Sequence, residues 1–450
     1  MSESLRVIVV GGGIGGLCLA HGLRRAGVSV QVYERDRSPG ARPEGYRIHV
    51  NPAGARSLRA CLPDDLWQAF LATSGPGGDF GFLTEGLEEL LVVEEAIMYP
   101  GGVSDPGENH YAVDRRTLRR LLLTGLDDVV AFDAEFVRYE HSADGRVVAV
   151  FADGRTAAGD LLIGADGASS RVCRQYLPHA KPVDVGVGGF GQKLYLTEDT
   201  RRWVPERLQL GMNSIMANAP MFLFTSVYDP PAHAAAALQA VTGDAPEGID
   251  APYVRCALVA DQSVLPDAVA TLDDEGLRHA VDQMVSSWHP TLRRVLAESH
   301  PAARGGLEFT ASPEIAPWTP TRITVLGDAI HTMPPVGGLG ANTALRDARL
   351  LCQQLSLVAC GEGDLLDAVG TYETEMRDYG YAAVRAALAL EDRSLATGAL
   401  ASLLARSWFR LCQALPALRR RTFGGWDTAA APRSWEHTPT PGQAEPAQPG

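Results

Sequence analysis

Three glycines near the start of the chain have the spacing of a nucleotide-binding loop. In VIVVGGGIGGLCLA, Gly11, Gly13 and Gly16 occupy the glycine positions of the pattern G-x-G-x-x-G. The first glycine permits a tight turn, the second admits a pyrophosphate close to backbone N–H groups, and the third lets a helix pack closely on a strand. An acidic residue, Glu34, follows roughly 20 residues later, where such sites accept hydrogen bonds from a ribose diol. These residue types predict a dinucleotide site.

The residues around this motif favour one class of dinucleotide. The apolar run Val7–Val10 precedes the glycines, as expected for a buried parallel strand. Glu34 favours an unphosphorylated ribose, as in FAD or NAD rather than NADP, while the neighbouring Arg35 leaves a phosphorylated ribose open. The segment GVGGFG at 186–191 has the same glycine spacing, but no apolar strand precedes it and no helix follows it. We expect a flexible crossover into another sheet there.

A second glycine-rich stretch lies late in the chain. GDAIHTMPPVGGLGANTALRDA, residues 327–348, follows a short apolar strand and has an aspartate, Asp328, at the strand end. Pro335 stiffens the loop, and glycines such as Gly340 let a backbone approach a ligand without a Cβ clash. A helix predicted to begin near Ala341 would direct its free N–H groups at negative charge. So many bare backbone groups indicate the close approach of a ligand.

A third motif carries a family resemblance. DLLIGADGASSRVCR, residues 160–174, is typical of an apolar strand that ends at Asp166 and a helix that starts at Ser170. Together with the two glycine-rich stretches, it resembles the class A flavoprotein monooxygenases, which are aromatic hydroxylases with a glutathione-reductase-type FAD fold. The resemblance covers residues 5–380. The fold it implies is α/β: a glutathione-reductase-type FAD-binding Rossmann domain with an inserted, mostly β substrate domain and long C-terminal helices.

The resemblance also implies roles for single residues. Asp166 would serve FAD and NAD(P)H binding together, and Asp328 would accept hydrogen bonds from the ribityl chain of FAD. Arg115, in VDRRTLRRLLL, would lie over the ribityl chain or the diphosphate. Arg47, in YRIHVNPAG, would lie beside the flavin, with His49 on the same strand face.

The implied reaction needs no catalytic side chain and no metal. In this family FAD is held non-covalently, NADPH or NADH reduces it, and O₂ adds to give a C4a-hydroperoxyflavin that hydroxylates or epoxidises an aromatic or polyketide-like small molecule. His331 is accordingly expected to brace the Gly-Asp loop. Two alternatives stay open: a flavin-dependent reductase or dehydrogenase on the same fold, and a flavoprotein that only sequesters a small molecule. A flavin-dependent halogenase is disfavoured, because neither Lys181 nor Lys193 lies in that family's catalytic context.

The resemblance divides the chain into domains. The FAD-binding domain is expected in three pieces, 1–75, 105–180 and 300–365. The substrate-binding domain is expected in two pieces, 76–104 and 181–299. The C-terminal helices are expected over 366–430, and a disordered tail rich in proline and glycine over 431–450.

Three apolar segments of the expected substrate domain have the pattern of adjacent strands. They are ERLQLGMNSIMA, MFLFTSVYD and YVRCALVA. An amphipathic helix is expected after them, over 277–299. The candidate substrate-contacting residues on this sheet are Gln192, Met212, Phe222 and Phe224. They predict a roomy apolar pocket for a multi-ring aromatic or polyketide-like molecule.

Composition disfavours other classes of partner. The chain has 450 residues and a formal net charge of −14, whereas nucleic-acid binding needs a basic surface. No apolar run reaches the ~18 residues that a membrane helix requires, and no signal-peptide pattern stands at the N-terminus. The seven cysteines show no metal-ligand spacing, so reduced thiols and a cytoplasmic location are expected. The sequence carries no signal for the oligomeric state.

Overall fold

The computed structural model describes most of the chain. The described residues are 5–41, 45–99, 105–244, 248–249, 251–266, 271–301, 307–396 and 399–424. The tail expected over 431–450 lies outside them. In the described part, no helix has both the length and the apolar character needed to cross a membrane.

The elements follow one another as a mixture of strands and helices. The strands are β1 (Arg6–Val10), β2 (Ser29–Tyr33), β3 (Arg47–Val50), β4 (Gly75–Pro76), β5 (Phe80–Thr84), β6 (Glu89–Val93), β7 (Tyr111–Asp114), β8 (Val130–Ala131), β9 (Phe136–His141), β10 (Val147–Phe151), β11 (Thr156–Gly159), β12 (Leu161–Gly164), β13 (Val183–Tyr195), β14 (Met212–Met216), β15 (Met221–Tyr228), β16 (Tyr253–Asp261), β17 (His300–Pro301), β18 (Leu307–Ala311) and β19 (Ile323–Val325). The helices are α1 (Ile14–Arg25), α2 (Pro52–Cys61), α3 (Asp64–Thr73), α4 (Glu95–Met98), α5 (Arg115–Leu123), α6 (Arg171–Tyr176), α7 (Glu198–Trp203), α8 (Ala234–Thr242), α9 (Asp274–Met284), α10 (Pro290–Glu298), α11 (Asp328–His331), α12 (Leu339–Ala359), α13 (Leu365–Leu395), α14 (Ala399–Ala414) and α15 (Pro416–Phe423).

A parallel sheet with the strand order β19-β12-β1-β2-β8 forms the first layer. Strands β1 and β12 are apolar and almost entirely buried, as expected for a parallel sheet that is covered on both faces. Helix α1 connects β1 to β2 and packs against α12. Because the strands run in the same direction, the carboxyl ends of β1, β12 and β19 meet at one edge. Open α/β sheets bind their ligands at this edge.

A larger sheet has the order β17-β13-β16-β15-β14-β5-β6, with β18 also paired to β13. Its strands are antiparallel except for the parallel pair β14 and β5. One face packs on α9 and α10 through a buried apolar cluster that includes Leu223, Leu258, Val281 and Leu292. The other face lines a cavity. The three segments expected to form adjacent strands are β14, β15 and β16, and that prediction is confirmed.

Helix α13 connects the two sheets. Near its start, the hydroxyl of Tyr372 donates a hydrogen bond to the carbonyl oxygen of Val325 at 2.9 Å, in the core of the parallel sheet. Farther along the same helix, Ala386, Ala389 and Leu390 line the cavity. One continuous helix therefore fixes the cavity relative to the end of β19.

Two local predictions are wrong. Segment 186–191 is not a flexible crossover: it lies inside β13, and residues 187–191 pair in regular register with β16. The helix expected over 277–299 is two helices, α9 and α10, because Pro290 lacks an N–H group and occupies the first turn of the second helix.

Candidate active site

Three loops converge at the carboxyl edge of the parallel sheet. Gly11 follows β1, Asp166 lies two residues after β12, and Asp328 lies shortly after β19. β12 pairs with β1 on one side and with β19 on the other, so the three strand ends are neighbours. Gly11 touches the loop after β12, since a Cβ at Gly11 would overlap the carbonyl oxygen of Ala165. Segments that are far apart in sequence therefore form one cleft.

The three glycines of the N-terminal motif have different structural roles. Gly11 has a φ of +112°, which residues with a side chain rarely adopt. A Cβ at Gly16 would overlap the carbonyl oxygen of Gly11. At Gly13, by contrast, the nearest atom to a Cβ would be the carbonyl oxygen of Ala165 at 4.0 Å. The protein's own packing requires the first and third glycines, whereas the second leaves open space at the N-terminus of α1.

Glu34 lies at the end of β2 and is buried. Its Oε2 accepts a hydrogen bond from the backbone N–H of Gly12 at 2.8 Å. The Nη2 of Arg119 lies 3.7 Å from the same oxygen, and the Nε of Arg119 donates to the carbonyl oxygen of Gly12 at 3.3 Å. Arg35 is exposed. Sequence reasoning missed Arg119, although it follows Arg115 by four residues on α5, a spacing that places both on one helix face.

Asp166 organises the start of α6. Its carboxylate accepts hydrogen bonds from the hydroxyl of Ser170 at 2.5 Å and from the backbone N–H of Arg171 at 2.7 Å. Such bonds satisfy N–H groups that have no partner within the helix. Burial raises the pKa of Asp166, and these hydrogen bonds oppose the shift. The side chain orders the loop after β12, and its contact with a cofactor stays a prediction.

The carboxylate of Asp328 differs from that of Asp166. Among the described residues, no group donates a hydrogen bond to its carboxylate, which is open to the cleft. The first turn of α12 faces it, because a Cβ at Gly340 would lie 3.6 Å from its Oδ1. The surrounding protein raises the pKa of Asp328 by desolvation, while the positive charges of His331 and Arg115 lower it. A carboxylate in this position is suited to accept hydrogen bonds from the hydroxyl groups of a ligand.

His331 braces the loop that carries Asp328. Its Nε2 lies 2.7 Å from Oδ2 of Asp347, and both side chains are fully buried. Asp347 also accepts hydrogen bonds from the N–H of Gly327 at 2.7 Å and from the hydroxyl of Tyr379 at 2.6 Å. Burial lowers the pKa of His331, but the charge of Asp347, the hydrogen bond to Asp347 and the charge of Asp328 together outweigh burial, so the net shift is upward. This network joins the end of β19 to α12 and α13, as the bracing role requires.

Helix α12 begins at Leu339, two residues before the start expected at Ala341. The reason is the backbone: Gly337 and Gly338 have φ values of +80° and +66°, which turn the chain sharply into the helix. Within the described structure, no side chain caps this N-terminus. Its N–H groups are therefore available to a ligand with negative charge.

A cavity of about 440 Å³ lies between the large sheet, residues 335–339 and α13. Its lining is mostly apolar and includes the aromatic side chains Phe80, Phe82, Phe222, Phe224 and Phe309. The loop from Pro335 to Leu339 forms one wall of the cavity and also leads into the helix that faces Asp328. The cleft at the sheet edge and the cavity therefore share a wall.

Three of the four candidate substrate residues line this cavity: Met212, Phe222 and Phe224. The two phenylalanines lie on the same side because alternate residues of a strand share a face. Gln192 does not line the cavity, and that prediction is wrong. It lies opposite Cys256, which belongs to the apolar core on the other face of the sheet. The strand register, which composition does not reveal, decides on which face Gln192 lies.

Arg47 and His49 lie on β3 at one end of the cavity. The Nη2 of Arg47 donates to the carbonyl oxygen of Gly77 at 2.7 Å. His49 Nε2 lies 3.0 Å from His110 Nδ1, and the ring of Tyr99 stacks on His110 with 3.3 Å between centroids. Burial lowers the pKa of His49 well below its ordinary value and that of His110 to about 3, so both rings are neutral. Sequence reasoning missed Tyr99 and His110, which only the folding of the chain brings beside β3.

Comparisons with known proteins indicate the cofactor. A family model described as an FAD-binding domain matches residues 310–387. A second, described as an NAD(P)-binding Rossmann-like domain, matches residues 9–72. These segments contain the loops that follow β19 and β1.

Among curated proteins, a dual O-methyltransferase/FAD-dependent monooxygenase (elcB) from Phaeosphaeria nodorum is 30% identical over 404 residues, which is 84% of this chain and 43% of that protein. The chain thus spans less than half the length of this relative. The 6-hydroxynicotinate 3-monooxygenase of Pseudomonas fluorescens is 27% identical over 369 residues, which is 82% of this chain and 87% of that protein.

One solved structure is similar to this chain over nearly its entire length. It is described as that of a candidate FAD-containing monooxygenase from Photorhabdus luminescens, and it is 34% identical with a TM-score of 0.75. The similarity extends over 87% of this chain and 99% of that one. The resemblance predicted from the three motifs is confirmed: the chain belongs to the FAD-dependent monooxygenases of the aromatic hydroxylase type.

Proposed function

We propose that this protein holds FAD non-covalently and uses NADPH or NADH with O₂ to hydroxylate or epoxidise an aromatic or polyketide-like small molecule. One observation carries the proposal: residues 335–339 line the apolar cavity and lead directly into the helix that faces Asp328. A cofactor held along the sheet edge would thus reach the cavity at that loop. The cavity volume of about 440 Å³ lies within the range of small-molecule sites.

The residues of the cleft fit FAD. The open space at Gly13 and the N-terminus of α1 suit a pyrophosphate. Glu34 suits a ribose diol, and Asp328, which no described group donates to, suits the hydroxyls of the ribityl chain. Arg115 is close enough to Asp328 to lower its pKa, which supports a role for Arg115 beside the same part of the cofactor. Asp166 holds the loop between these two regions.

The chain's own residues position the reactants and shield them. When bound, FAD supplies electron transfer from NAD(P)H and the activation of O₂. The N-terminus of α12 would stabilise the negative charge that develops on a reduced flavin. The apolar lining excludes water, and Phe222 and Phe224 offer ring faces and edges to an aromatic substrate. His49 and His110 are neutral and add no charge to the cavity.

The relatives support an aromatic substrate. The Pseudomonas fluorescens relative acts on 6-hydroxynicotinate, a small hydroxylated aromatic. The Phaeosphaeria nodorum relative combines its monooxygenase with an O-methyltransferase, and this chain matches less than half of it. The activity that we propose for this chain is the monooxygenase activity.

Oxygen consumption and product mass test the proposal together. Purified protein is loaded with FAD, desalted and screened with polycyclic phenols for compounds that accelerate NAD(P)H oxidation. We expect a yellow protein that releases its flavin on acid precipitation, O₂ uptake that matches NAD(P)H oxidation, and one atom of isotope-labelled O₂ in the product. A reductase or dehydrogenase would oxidise NAD(P)H without O₂ uptake, and a sequestering protein would bind compounds without either. Either result would replace the proposed function.

A further inference from the structure

Three arginine side chains line the mostly apolar cavity, Arg47, Arg255 and Arg393, and the first two lie close together. Arg47 donates one N–H to the carbonyl oxygen of Gly77, and its Nε has no hydrogen-bond partner among the described residues. Arg255, on β16, reaches the carbonyl oxygen of Arg47 at 3.5 Å and lies over the ring of Tyr46 at 4.5 Å. Burial lowers the pKa of both guanidinium groups, but arginine remains protonated at neutral pH. The cavity therefore contains positive charge.

Unlike Arg47, Arg255 has no acidic side chain close to it in the part of the chain that the structure describes. The acidic side chain of Glu95 is close enough to Arg47 to raise its pKa. The groups that act on the pKa of Arg255 are Tyr46, Tyr253 and Cys256, and none of them is a carboxylate. Among the residues that the structure describes, Arg255 forms no ion pair.

The sheet register places Arg255 at one end of the cavity floor. Ser226 lies opposite Arg255 on one side and Lys193 lies opposite it on the other. The next two rows along the strands are apolar: Phe224, Ala257 and Gly191, then Phe222, Val259 and Gly189. The floor therefore has a cationic end and an aromatic end.

The acidic residue at the cationic end, Asp114, already binds other partners. Asp114 Oδ2 accepts a hydrogen bond from the hydroxyl of Tyr253 at 2.7 Å and lies 3.6 Å from Nζ of Lys193. Its Oδ1 accepts from the backbone N–H of Arg116 at 2.8 Å. Asp114 balances the charge of Lys193 and leaves that of Arg255 unbalanced.

From this arrangement we propose that the substrate is an anion: a fused-ring aromatic whose ionised acid group, a carboxylate or an acidic enol or phenol, pairs with Arg255. Its rings would extend from Ser226 over Phe224 and Phe222. A half-buried cation in a desolvated cavity without a counter-charge is unfavourable, and a ligand anion supplies that charge. A planar guanidinium also binds a carboxylate through two parallel hydrogen bonds. This inference rests on the proposed function, because it names the substrate class of the same cavity.

A bound, reduced flavin would be a second source of negative charge for Arg255. Arg255 lies over Tyr46, which precedes the strand that carries Arg47 and His49. If Arg255 served the flavin, its removal would lower the flavin reduction potential and leave the choice of ligand unchanged. If it serves the substrate, the choice of ligand changes.

A matched pair of probes separates the two. FAD-loaded protein is dialysed at neutral pH against 3-hydroxy-2-naphthoate, an anion, or 3-hydroxy-2-naphthamide, its neutral counterpart. We expect the wild type to prefer the acid by about tenfold, the effect of one charge-assisted pair. Arg255→Gln should reduce the preference to near unity, and Arg255→Lys should restore part of it. Flavin content and the midpoint of thermal unfolding show that each variant is folded, and the reduction potential should be unchanged.

Arg393→Gln is the control for position, since Arg393 lines the same cavity from α13. It should keep the preference for the acid. The proposal is overturned if neither probe binds the wild type, if Arg255→Gln keeps the preference, or if Arg393→Gln abolishes it instead. Equilibrium dialysis requires no turnover, so failure of the proposed function is seen separately, as loss of FAD retention or of ligand-stimulated NAD(P)H oxidation in the wild type.

Discussion

The cleft at the edge of the parallel sheet and the cavity on the large sheet are built in different ways. Around the cleft the backbone forms the site: Gly11 and Gly16 have no room for a Cβ, and no side chain of the described residues caps α1 or α12. Around the cavity, side chains form the site, and the strand register places Phe222, Phe224 and Arg255 on the same face of the sheet. A backbone site leaves a recognisable motif in the sequence, whereas a side-chain site leaves only a pattern of apolar residues.

This difference predicts how the two regions respond to mutation. Changes in the cleft should alter cofactor binding whatever ligand is present. Changes in the cavity should alter the handling of the ligand while the cofactor stays bound. A cavity variant that loses FAD, or a cleft variant that changes only the handling of the ligand, would show that the shared wall at 335–339 couples the two regions.

Gly11→Ala should have the largest effect. An alanine at φ +112° is strained, and its Cβ would overlap the carbonyl oxygen of Ala165. We expect the free energy of unfolding of the FAD-free protein to fall by at least about 2 kcal/mol, and FAD to be lost on gel filtration. Urea unfolding and flavin absorbance measure the two effects.

Gly13→Ala is the matched control for that variant. Its Cβ would meet nothing closer than the carbonyl oxygen of Ala165 at 4.0 Å, so the FAD-free protein should unfold like the wild type. FAD affinity should still fall, because the methyl group occupies space open to the pyrophosphate. Equal destabilisation of both FAD-free variants would mean that packing also requires the second glycine.

Asp328→Ala should weaken FAD binding without weakening the fold. The variant removes an acceptor for the ribityl hydroxyls, and we expect the Kd for FAD to rise about tenfold or more. Desolvation raises the pKa of Asp328, so its ionised form is disfavoured in the folded state. The FAD-free variant should therefore unfold at the same temperature as the wild type or higher. An unchanged Kd, measured by fluorescence titration, would place the ribityl contact on another residue.

His331→Gln should act on stability and on its pH dependence more than on FAD. The folded pKa of His331 lies above the ordinary value of 6.5, so its pair with Asp347 stabilises the fold fully below pH 6.5. That stabilisation is lost as pH rises through the folded pKa. Urea unfolding of the FAD-free proteins should thus show a flatter pH profile in the variant above pH 6.5.

Other buried acids do not affect the comparison of the pH profiles of wild type and His331→Gln. Burial raises the pKa of Glu373 and of Glu391 to about 7, so they also titrate near neutrality. They are present in both proteins and cancel in the difference between the two profiles. Parallel profiles for wild type and variant would contradict the ion pair of His331 and Asp347.

The sequence predicted the backbone features and the family well. The tight turn at Gly11, the close packing at Gly16, the order of β14, β15 and β16, and the FAD-dependent monooxygenase family are confirmed. Each rests on a short-range signal: glycine spacing, or an apolar period of two. The role of Arg119 was within reach of the same reasoning, since it lies one helical turn after Arg115. The domain boundaries stay a prediction.

The errors arose where geometry depends on distant partners. Gln192 lies on the face of the sheet opposite the cavity, because its pairing with Cys256 depends on the register of the whole sheet. The start of α12 depends on positive φ angles at Gly337 and Gly338, which the composition of the loop allows but does not specify. Tyr99 and Arg255 reach the cavity from separate segments, and only tertiary structure brings them together.

Phe224→Leu should have the smallest effect and tests the cavity directly. Phe224 is partly exposed to the cavity, so the variant should keep its FAD, its spectrum and nearly all its stability. A smaller, non-aromatic side chain holds an aromatic substrate less firmly at the reacting position. With a ligand that stimulates NAD(P)H oxidation, the fraction of NAD(P)H that yields oxygenated product should fall, by about two- to fivefold if one aromatic contact is lost. The remainder should appear as hydrogen peroxide.

The control for this variant lies one residue away, on the opposite face of β15. Leu223 is fully buried in the core against α9 and α10. Leu223→Ala would therefore leave a void and lower the free energy of unfolding by about 2–5 kcal/mol. Leu223→Met keeps the volume and is the better control. It should leave the product yield per NAD(P)H unchanged, because no atom of Leu223 lines the cavity. If Leu223→Met and Phe224→Leu lowered the yield equally, this face of the sheet would not position the substrate. The contacts would then have to be sought on the walls formed by 335–339 and α13.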